Sequence, residues 1–480
     1  MRAGPVPEFF LALDQGSHAS RAIAFTPSGQ LLDREQVAIE TLNPRPGWYE
    51  HDAEALLDSV VNAIDRLLAR QPSAACLGAG LATQRSSIVC WDRVSGAPLS
   101  PVISWRDTRN ARWLADLELD PDRLHRITGL RISAHYGASK LRWCFDHLPA
   151  VSAARQQDRL AWGPLASFLI FRLTRERTLA ADPANGSRTL LWDLQRRDWS
   201  DELLECFGLD RAALPETVAE DHAFGHLTVG AAAIPLLRCT GDQSAALHAR
   251  GLPAMDTAYV NAGTGAFVLR PLARADDANG LLNSVIRGDA AGLALALEGT
   301  VNGAATALDA EAAALDAGDW IERLARVRDD DTGVPIFLNG HAGLGSPWWQ
   351  ASFPCRYIGK GDTDDRLRAV LESIVFMLAE NLRRCAQDVT PMERIIASGG
   401  ISRMPLFCAT LANVSGLEVQ RPEVAEATAR GLAWMCAGAP APWPDQCETH
   451  RYAPTAAPGL DARHRRWQAE MTRALASLPV

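Results

Sequence analysis

Lysine is nearly absent from this 480-residue chain: of its 48 Lys and Arg side chains, only Lys140 and Lys360 are lysines. Lysine clamps phosphate in P-loop nucleotidases and protein kinases, and it forms the Schiff base of many carbonyl enzymes. Lys360 lies in Tyr357-Ile-Gly-Lys-Gly361, which is no Gly-x-x-x-x-Gly-Lys-Ser/Thr loop, and Lys140 in Ser139-Lys-Leu-Arg142 follows no Gly-rich turn. Those placements argue against a P-loop, a kinase-type strand lysine and an ordinary pyridoxal site. Cys-x-x-Cys pairs are missing as well. The ten cysteines, at 76, 90, 144, 206, 239, 355, 385, 408, 436 and 447, have no close His pairing and read as scattered thiols rather than a disulfide framework or zinc site. No apolar run reaches the ~18 residues of a membrane span. Basic runs are lacking and the formal net charge is -9, so no nucleic-acid footprint is expected. Met1-Arg-Ala-Gly-Pro5 leads straight into an apolar strand without a signal-peptide core, which makes the cytoplasm the expected compartment.

What is present describes a globular protein with 47% hydrophobic and 22% charged residues, long enough for two or three domains at roughly 100–200 residues each. Phe9 to Asp14 is an apolar run, Gln15-Gly-Ser-His-Ala-Ser20 a small-residue turn, and Arg21 opens a second apolar run that stops at Pro27-Ser-Gly-Gln30, where a third begins. This predicts a β-hairpin continuing into a meander. Thr257-Ala-Tyr-Val-Asn-Ala-Gly-Thr-Gly-Ala-Phe-Val-Leu-Arg270 repeats the strand, Gly/Thr turn, strand pattern half a chain later, and two such hairpins suggest two similar lobes. Asp52 reads as the N-cap of a helix carrying Leu56, Leu57, Val60, Ile64, Leu67 and Leu68 at helical spacing. A boundary is expected near residues 247–256. The stretch from Ala437, with Pro440, Pro442 and Pro444, reads as a terminal extension rather than a catalytic domain.

Three turns carry candidate chemistry. In the first, small residues let backbone N–H groups point at anionic oxygens, Ser17 and Ser20 add hydroxyls, and Asp14 faces the same spot, where it can hold a metal-bound water; an Asx-type turn without ligand explains the same residues. Gly263-Thr-Gly265 offers further amides. Arg394-Ile-Ile-Ala-Ser-Gly-Gly400 ends in paired glycines before a helix from Pro405, a geometry that lets a flat ring approach the backbone. Each is separately a tight turn, and together they are better explained by a nucleotide held between two lobes.

At this point the chain resembles the FGGY carbohydrate kinases, most closely their glycerol-kinase-like branch. The resemblance runs from Phe9 to about Ala437. It is carried in order by Asp14-Gln-Gly-Ser-His-Ala-Ser-Arg21, Gly47-Trp-Tyr-Glu-His-Asp52, Thr83-Gln-Arg-Ser86, Ile103-Ser-Trp-Arg-Asp107, Tyr136-Gly-Ala-Ser-Lys-Leu-Arg-Trp143, Asp182-Pro-Ala-Asn-Gly-Ser-Arg188, Gly241-Asp-Gln-Ser-Ala-Ala246, Gly263-Thr-Gly-Ala-Phe267, Leu297-Glu-Gly-Thr300, Gly343-Leu-Gly-Ser-Pro-Trp348 and Ser398-Gly-Gly400. It implies an α/β fold of two actin-like, ribonuclease-H-like lobes with an interlobe cleft: a sugar-binding lobe over 1–248, a nucleotide-binding lobe over 249–445, and an extension over 446–480. It also implies ATP and Mg²⁺, a small polyol or sugar as acceptor, and neither nucleic acid nor membrane as partner. Family members are often homodimers or homotetramers, and nothing in this sequence locates an interface.

Matched motif to motif, Asp242 takes the place of the general base that withdraws the acceptor's proton. Arg85, Ser86, Trp105, Tyr136, Asp242, Gln243 and Phe267 are the acceptor candidates: several hydrogen-bonding groups beside an apolar wall, as a polyol requires. Trp and Tyr are otherwise more often core than ligand contacts. Gly16, Ser17, His18, Arg21, Gly263, Thr264, Gly265, Gly399, Gly400 and Met404 are the nucleotide candidates, and Asp14 with Asp242 the metal candidates. For Arg21, a salt bridge anchoring the turn competes with a role at phosphate.

Three departures stand out. Gln84-Arg85-Ser86 replaces a Gln-Arg-Glu pattern whose Glu accepts from glycerol hydroxyls; losing such a bond costs about 1.5–3 kcal/mol, and serine leaves room, so an acceptor larger than glycerol is expected. His18 stands where the family has Thr or Ser. On the adenine side, Met404 replaces an Asn, and Ala304-Ala-Thr-Ala-Leu-Asp309 lacks the family's Gln, which puts nucleotide selectivity in question. The competing readings are a pentulose kinase such as a xylulokinase and, from another class, a non-catalytic sugar sensor. Retention of Asp14 and Asp242 argues for catalysis, because a sensor needs neither.

Overall fold

The computed structural model describes residues 7–229, 233–273, 280–326, 333–386, 390–424, 426–443 and 447–478. Contacts divide the chain into two compact units. The first comprises Met1–Pro253, Ser284–Leu295 and Val424–Gln446, and the second Ala254–Asn283, Ala296–Glu423 and Cys447–Val480. The units exchange segments, so neither is one continuous stretch. The limit expected at 445/446 lies outside the described residues.

In the first unit, β1 (Phe9–Gln15) and β2 (Ala19–Phe25) form the hairpin predicted from the apolar runs, and β3 (Leu31–Ala38) continues it as a meander. Helix α1 (Ala53–Leu68) follows; the Asp52 carboxylate accepts from the Ala55 N–H at 2.8 Å, capping its first turn. Its stripe Leu56, Leu57, Val60, Ile64 and Leu67 is buried and packs against β2 and β3. Strand β4 (Cys76–Thr83) lies parallel to β1, and β5 (Leu236–Gly241) parallel to β4, giving the order β5-β4-β1-β2-β3. Central strand β1 is buried on both faces, as a strand covered by helices must be. Between β4 and β5 the chain forms, among other elements, helix α2 (Gly137–His147), and β5 runs directly into α3 (Asp242–Leu247).

The second unit repeats the plan. β6 (Thr257–Ala262) and β7 (Ala266–Leu272) form an antiparallel hairpin, and β8 (Leu282–Asp289) and β9 (Gly292–Val301) follow in the same sheet, although Ser284–Leu295 groups with the first unit. After helices α4 (Ala305–Ala314) and α5 (Thr363–Cys385), strand β10 (Arg394–Ser398) joins parallel to β6; α6 (Pro405–Ser415) then returns the chain to β11 (Glu418–Pro422), parallel to β10. In both sheets the first hairpin strand is central and takes a later parallel strand on its other side. The chain then supplies α7 (Ala427–Cys436) to the first unit. It closes with β12 (Thr449–Tyr452), antiparallel to β11, and α8 (Pro458–Ala476). The second sheet thus reads β8-β9-β7-β6-β10-β11-β12. Among the described residues, no helix is long and apolar enough to cross a membrane.

Candidate active site

Parallel pairing decides where the first unit's polar residues emerge. Asp14 is in register with Ala82 of β4, which is in register with Thr240 of β5; Gln15, Thr83 and Gly241 form the next row. The turn after β1, the segment Gln84–Ser86 and Asp242 therefore leave the sheet at one edge, where strand ends in α/β sheets present ligand-binding groups.

Asp14 is 6% exposed and sits directly opposite Arg21 on β2, whose guanidinium Nη1 reaches its Oδ2 at 2.9 Å. Arg21 also donates to Gln36 Oε1 at 2.9 Å. The structure thus places Arg21 in the salt bridge at the foot of the turn. Burial pushes the Asp14 pKa up to about 6; Arg21 opposes this and the charge of Asp242 adds to it. The Asp242 charge is thus felt at Asp14. Asp242 retains some exposed surface but is closely enclosed, and enclosure raises its pKa while Arg85 and then Arg188 pull it down. Its Oδ1 accepts from the Gln243 N–H at 2.7 Å.

Arg85 donates to the Gln243 side chain. Its aliphatic stem lies over Gly241, where a Cβ would meet Arg85 Cδ at 2.5 Å, so only glycine lets that arginine lie against the β5 terminus. In the first turn, Gly16 N–H closes on the Ala19 carbonyl at 3.1 Å and His18 is exposed. Ser17 Oγ accepts from Trp105 Nε1 at 2.9 Å and donates to Gln84 Oε1 at 3.3 Å, so a nucleotide candidate and an acceptor candidate are joined by one hydroxyl.

The residue that the sequence reading set aside is Lys140. It is fully buried on α2, and its ammonium donates to the carbonyls of Ser86 at 3.2 Å, Ser104 at 2.8 Å and His135 at 2.6 Å. Each carbonyl belongs to or adjoins an acceptor candidate: Ser86 itself, Trp105 and Tyr136. One cation therefore ties three loops together. Ser86 is held at φ 64°, a left-handed conformation uncommon outside glycine, and the Lys140 bond anchors its carbonyl there. Burial pulls the Lys140 pKa down to about 7, with Asp107 opposing and Arg109 adding to the fall. Arg188, also absent from the candidates, is 5% exposed, donates to Ser284 Oγ, and bears on the charge of Asp242. Its only sequence signal was its position at the end of the Asp182–Arg188 motif.

In the second unit, Gly263 N–H closes on the Gly265 carbonyl at 2.9 Å, and the N–H groups of Ala304 and Ala305, at the head of α4, donate to the Thr264 and Gly263 carbonyls. A Cβ on Gly265 would press on the Val301 carbonyl at 3.0 Å. Asn261 is in register with Ser398, so the glycine pair after β10 meets the turn after β6: Gly399, at φ +87°, abuts the Ala262 carbonyl, and Gly400 faces open space. Met404 is buried at the N-terminus of α6. The fold thus brings Gly263–Gly265 and Gly399–Gly400 side by side. Phe267 lies on β7 of this unit, whereas the other acceptor candidates lie in the first.

Residues 9–248 match the N-terminal domain of the FGGY family of carbohydrate kinases, and residues 258–439 match its C-terminal domain. The chain belongs to this family. It is a carbohydrate kinase, an enzyme that phosphorylates an alcohol group. Among curated relatives, the glycerol kinase of Alkalilimnicola ehrlichii is 35% identical, covering 89% of this chain and 90% of its own length, and that of Thermus brockianus is 34% identical over 97% and 98%. Among solved structures, Plasmodium falciparum glycerol kinase with ADP superposes with a TM-score of 0.87 at 21% identity, covering 98% of this chain and 99% of that one. A xylulose-type kinase from Brucella ovis reaches 0.85 at 22% identity, covering 98% and 100%. These structural likenesses give this FGGY kinase the two-domain actin-like fold of the family.

Proposed function

We propose that this FGGY kinase transfers the γ-phosphoryl group of ATP to a hydroxyl of a small polyol, with Asp242 as general base. The observation that carries the reading is the placement of Asp242: it opens α3 at the sheet edge shared with Asp14, and its raised pKa makes it a better proton acceptor than an ordinary surface carboxylate. The positive charge of Arg85, hydrogen-bonded to Gln243 beside it, favours the ionised carboxylate that a base requires. Asp242 withdraws the proton as the acceptor oxygen approaches phosphorus, and the amides of Ser17 and His18 donate to phosphate oxygens. Phosphoryl transfer otherwise asks chiefly for alignment and charge neutralisation.

Asp14 and Asp242 also fit Mg²⁺. They supply only oxygen donors, as that ion prefers, and each is an enclosed carboxylate whose ionised form a cation would stabilise. Magnesium, when bound, supplies neutralisation of phosphate charge. Support for a glycerol-like acceptor comes from the relatives named as glycerol kinases. Ser86, where that branch carries a Glu, supports an acceptor with an additional hydroxymethyl group.

Asp242→Asn is expected to lower kcat by roughly 10²–10⁴ with the KM for ATP little changed; turnover within a few-fold of wild type would remove Asp242 from the role. Coupled ADP release over a panel of polyols and ketoses separates the acceptors. If glycerol gives a higher kcat/KM than every four- and five-carbon candidate, the argument from Ser86 fails.

A further inference from the structure

Away from these residues, three side chains of the second unit converge on one point. Glu311 on α4, His341 in the loop after strand Ile336–Leu338, and Cys355 just before strand Arg356–Ile358 place a carboxylate oxygen, a ring nitrogen and a sulfur all within 4.8 Å of one another. His341 and Cys355 lie fourteen residues apart in sequence, outside any close-spaced ligand motif. Antiparallel pairing of the two short strands, with Leu338 opposite Arg356, draws them together.

We propose that Glu311, His341 and Cys355 form a site for a divalent cation of the Zn²⁺ type. The donor set is the first argument: nitrogen, sulfur and one carboxylate suit Zn²⁺ and its borderline-soft neighbours, whereas Mg²⁺ and Ca²⁺ call for oxygen alone. Bond lengths of ~2.0–2.3 Å in a tetrahedron put ligand atoms roughly 3.3–3.8 Å apart, so closing on an ion requires side-chain movement on the order of an ångström. His341 Nε2 and Glu311 Oε1 lie 2.9 Å apart and bind each other, a contact that a cation would replace; outer contacts hold the donors in place, with Tyr357 donating its hydroxyl to Glu311 Oε2 at 2.9 Å. The Gly340 N–H donates to Cys355 Sγ at 3.3 Å, an orientation suited to a thiolate. Asn339 fixes the His341 backbone, accepting from its N–H at 3.1 Å and donating to the Gly303 carbonyl at 2.9 Å. Such outer partners orient ligands in metal sites. Cys355 is exposed while Glu311 and His341 are partly buried, which leaves a solvent-facing fourth position for water.

The test uses the full-length, reduced, chelator-stripped protein titrated with Co²⁺ as a spectroscopic stand-in for Zn²⁺. The site predicts one equivalent bound with a near-ultraviolet thiolate-to-cobalt charge-transfer band and visible bands of a four-coordinate ion, both bleached by Zn²⁺. Cys355→Ser, an isosteric change at an exposed position, is expected to abolish the charge-transfer band, and His341→Ala to weaken Co²⁺ by roughly tenfold or more. Cys206→Ser, at an exposed cysteine elsewhere, is expected to leave the band intact. Absence of the band at stoichiometric Co²⁺, or its survival in Cys355→Ser, overturns the proposal. Far-ultraviolet circular dichroism and the Asp242-dependent kinase activity confirm that each variant is folded.

Discussion

Asp14 stands between a cation and a second carboxylate, and its protonation decides what it can hold. Its folded pKa of about 6 exceeds the ordinary 3.8, so between those values the folded protein binds the proton that the unfolded chain has released. This group's contribution to stability therefore falls as pH rises from 3.8 through 6, and the buried carboxylate costs stability at neutrality unless a cation joins Arg21 beside it. With Asp14 as the proposed Mg²⁺ ligand, proton and metal would compete for the same oxygens, so the acid limb of kcat/KM, near pH 6 at low Mg²⁺, is expected to move to lower pH as Mg²⁺ is raised. A limb that stays fixed across a hundredfold range of Mg²⁺ would separate Asp14 from the metal. Lys140 poses a different residue-scale question, because its ammonium is engaged with the carbonyls of Ser86, Ser104 and His135. Lys140→Met would leave the buried Ser104 carbonyl short of a donor, at about 1–3 kcal/mol, remove the bonds to the part-buried Ser86 and His135 carbonyls, and free the loops of Ser86, Trp105 and Tyr136. The expected result is a KM for the acceptor raised tenfold or more with the KM for ATP nearly unchanged; a fall in Tm with both KM values intact would reduce Lys140 to a structural role. Asp14 stood out in the sequence because it ends an apolar run before a small-residue turn, and Asp242 because its Gly-Asp-Gln motif matches the family pattern. Lys140 was not, because its partners come from three loops and no local pattern records a buried ammonium.

At the scale of elements, strands and the hairpin turns were readable from apolar runs broken by Gly, Ser and Thr, since each signal lies within a dozen residues. The role of the last helix was not. Pro440 and Pro442 mark an interruption, and beyond it α8 is largely polar in sequence, yet Leu460, Trp467 and Met471 are buried. Its attachment is an ion triad: Glu372 on α5 accepts from Arg368 Nε at 3.0 Å and from Arg463 Nε and Nη2, both at 2.7 Å. All three side chains are buried, and Arg463 is 91 residues from its partner, a separation that no helical periodicity reports. Removing one member of a buried ion cluster is strongly destabilising, so Glu372→Ala is expected to cost about 3–5 kcal/mol in urea unfolding. Replacing all three charges with apolar residues of similar volume should cost far less, because desolvation offsets most of what the ion pairs contribute. If the single variant is as stable as wild type, α8 is held by its apolar face alone.

For the whole molecule, the two hairpins half a chain apart indicated two similar units, but the path between them escaped detection because helices that cross from one unit to the other leave no local mark. Helix α7 is the informative case. It enters the first unit after the chain has completed most of the second, and Ala429, Leu432 and Ala433 pack with Ala12, Ile23, Phe25, Ala82 and Ala245 in one core cluster. The approach is close enough that Gly431 has the Ala245 carbonyl where a Cβ would stand, and a Cβ on Gly80 would meet Leu432 at 2.7 Å. Arg430 donates to the Gly29 and Ala249 carbonyls, and Trp443 Nε1 donates to Ala249. The strands β1 and β4, whose ends carry Asp14 and Arg85, thus depend on a helix about 410 and 340 residues downstream. Residues 1–253 expressed alone are therefore expected to lack a cooperative unfolding transition and native near-ultraviolet circular dichroism, as a sheet with one face uncovered cannot offset its conformational entropy. In the intact chain, Gly431→Ala should push α7 off α3 and cost roughly 1–3 kcal/mol, while the same change at Gly416, a helix-terminal glycine with nothing near its Cβ position, costs only the strain of its left-handed backbone. A 1–253 fragment that unfolds cooperatively, together with an unperturbed Gly431→Ala, would show that the first unit is complete without α7 and that its candidate residues are positioned by their own half of the sequence.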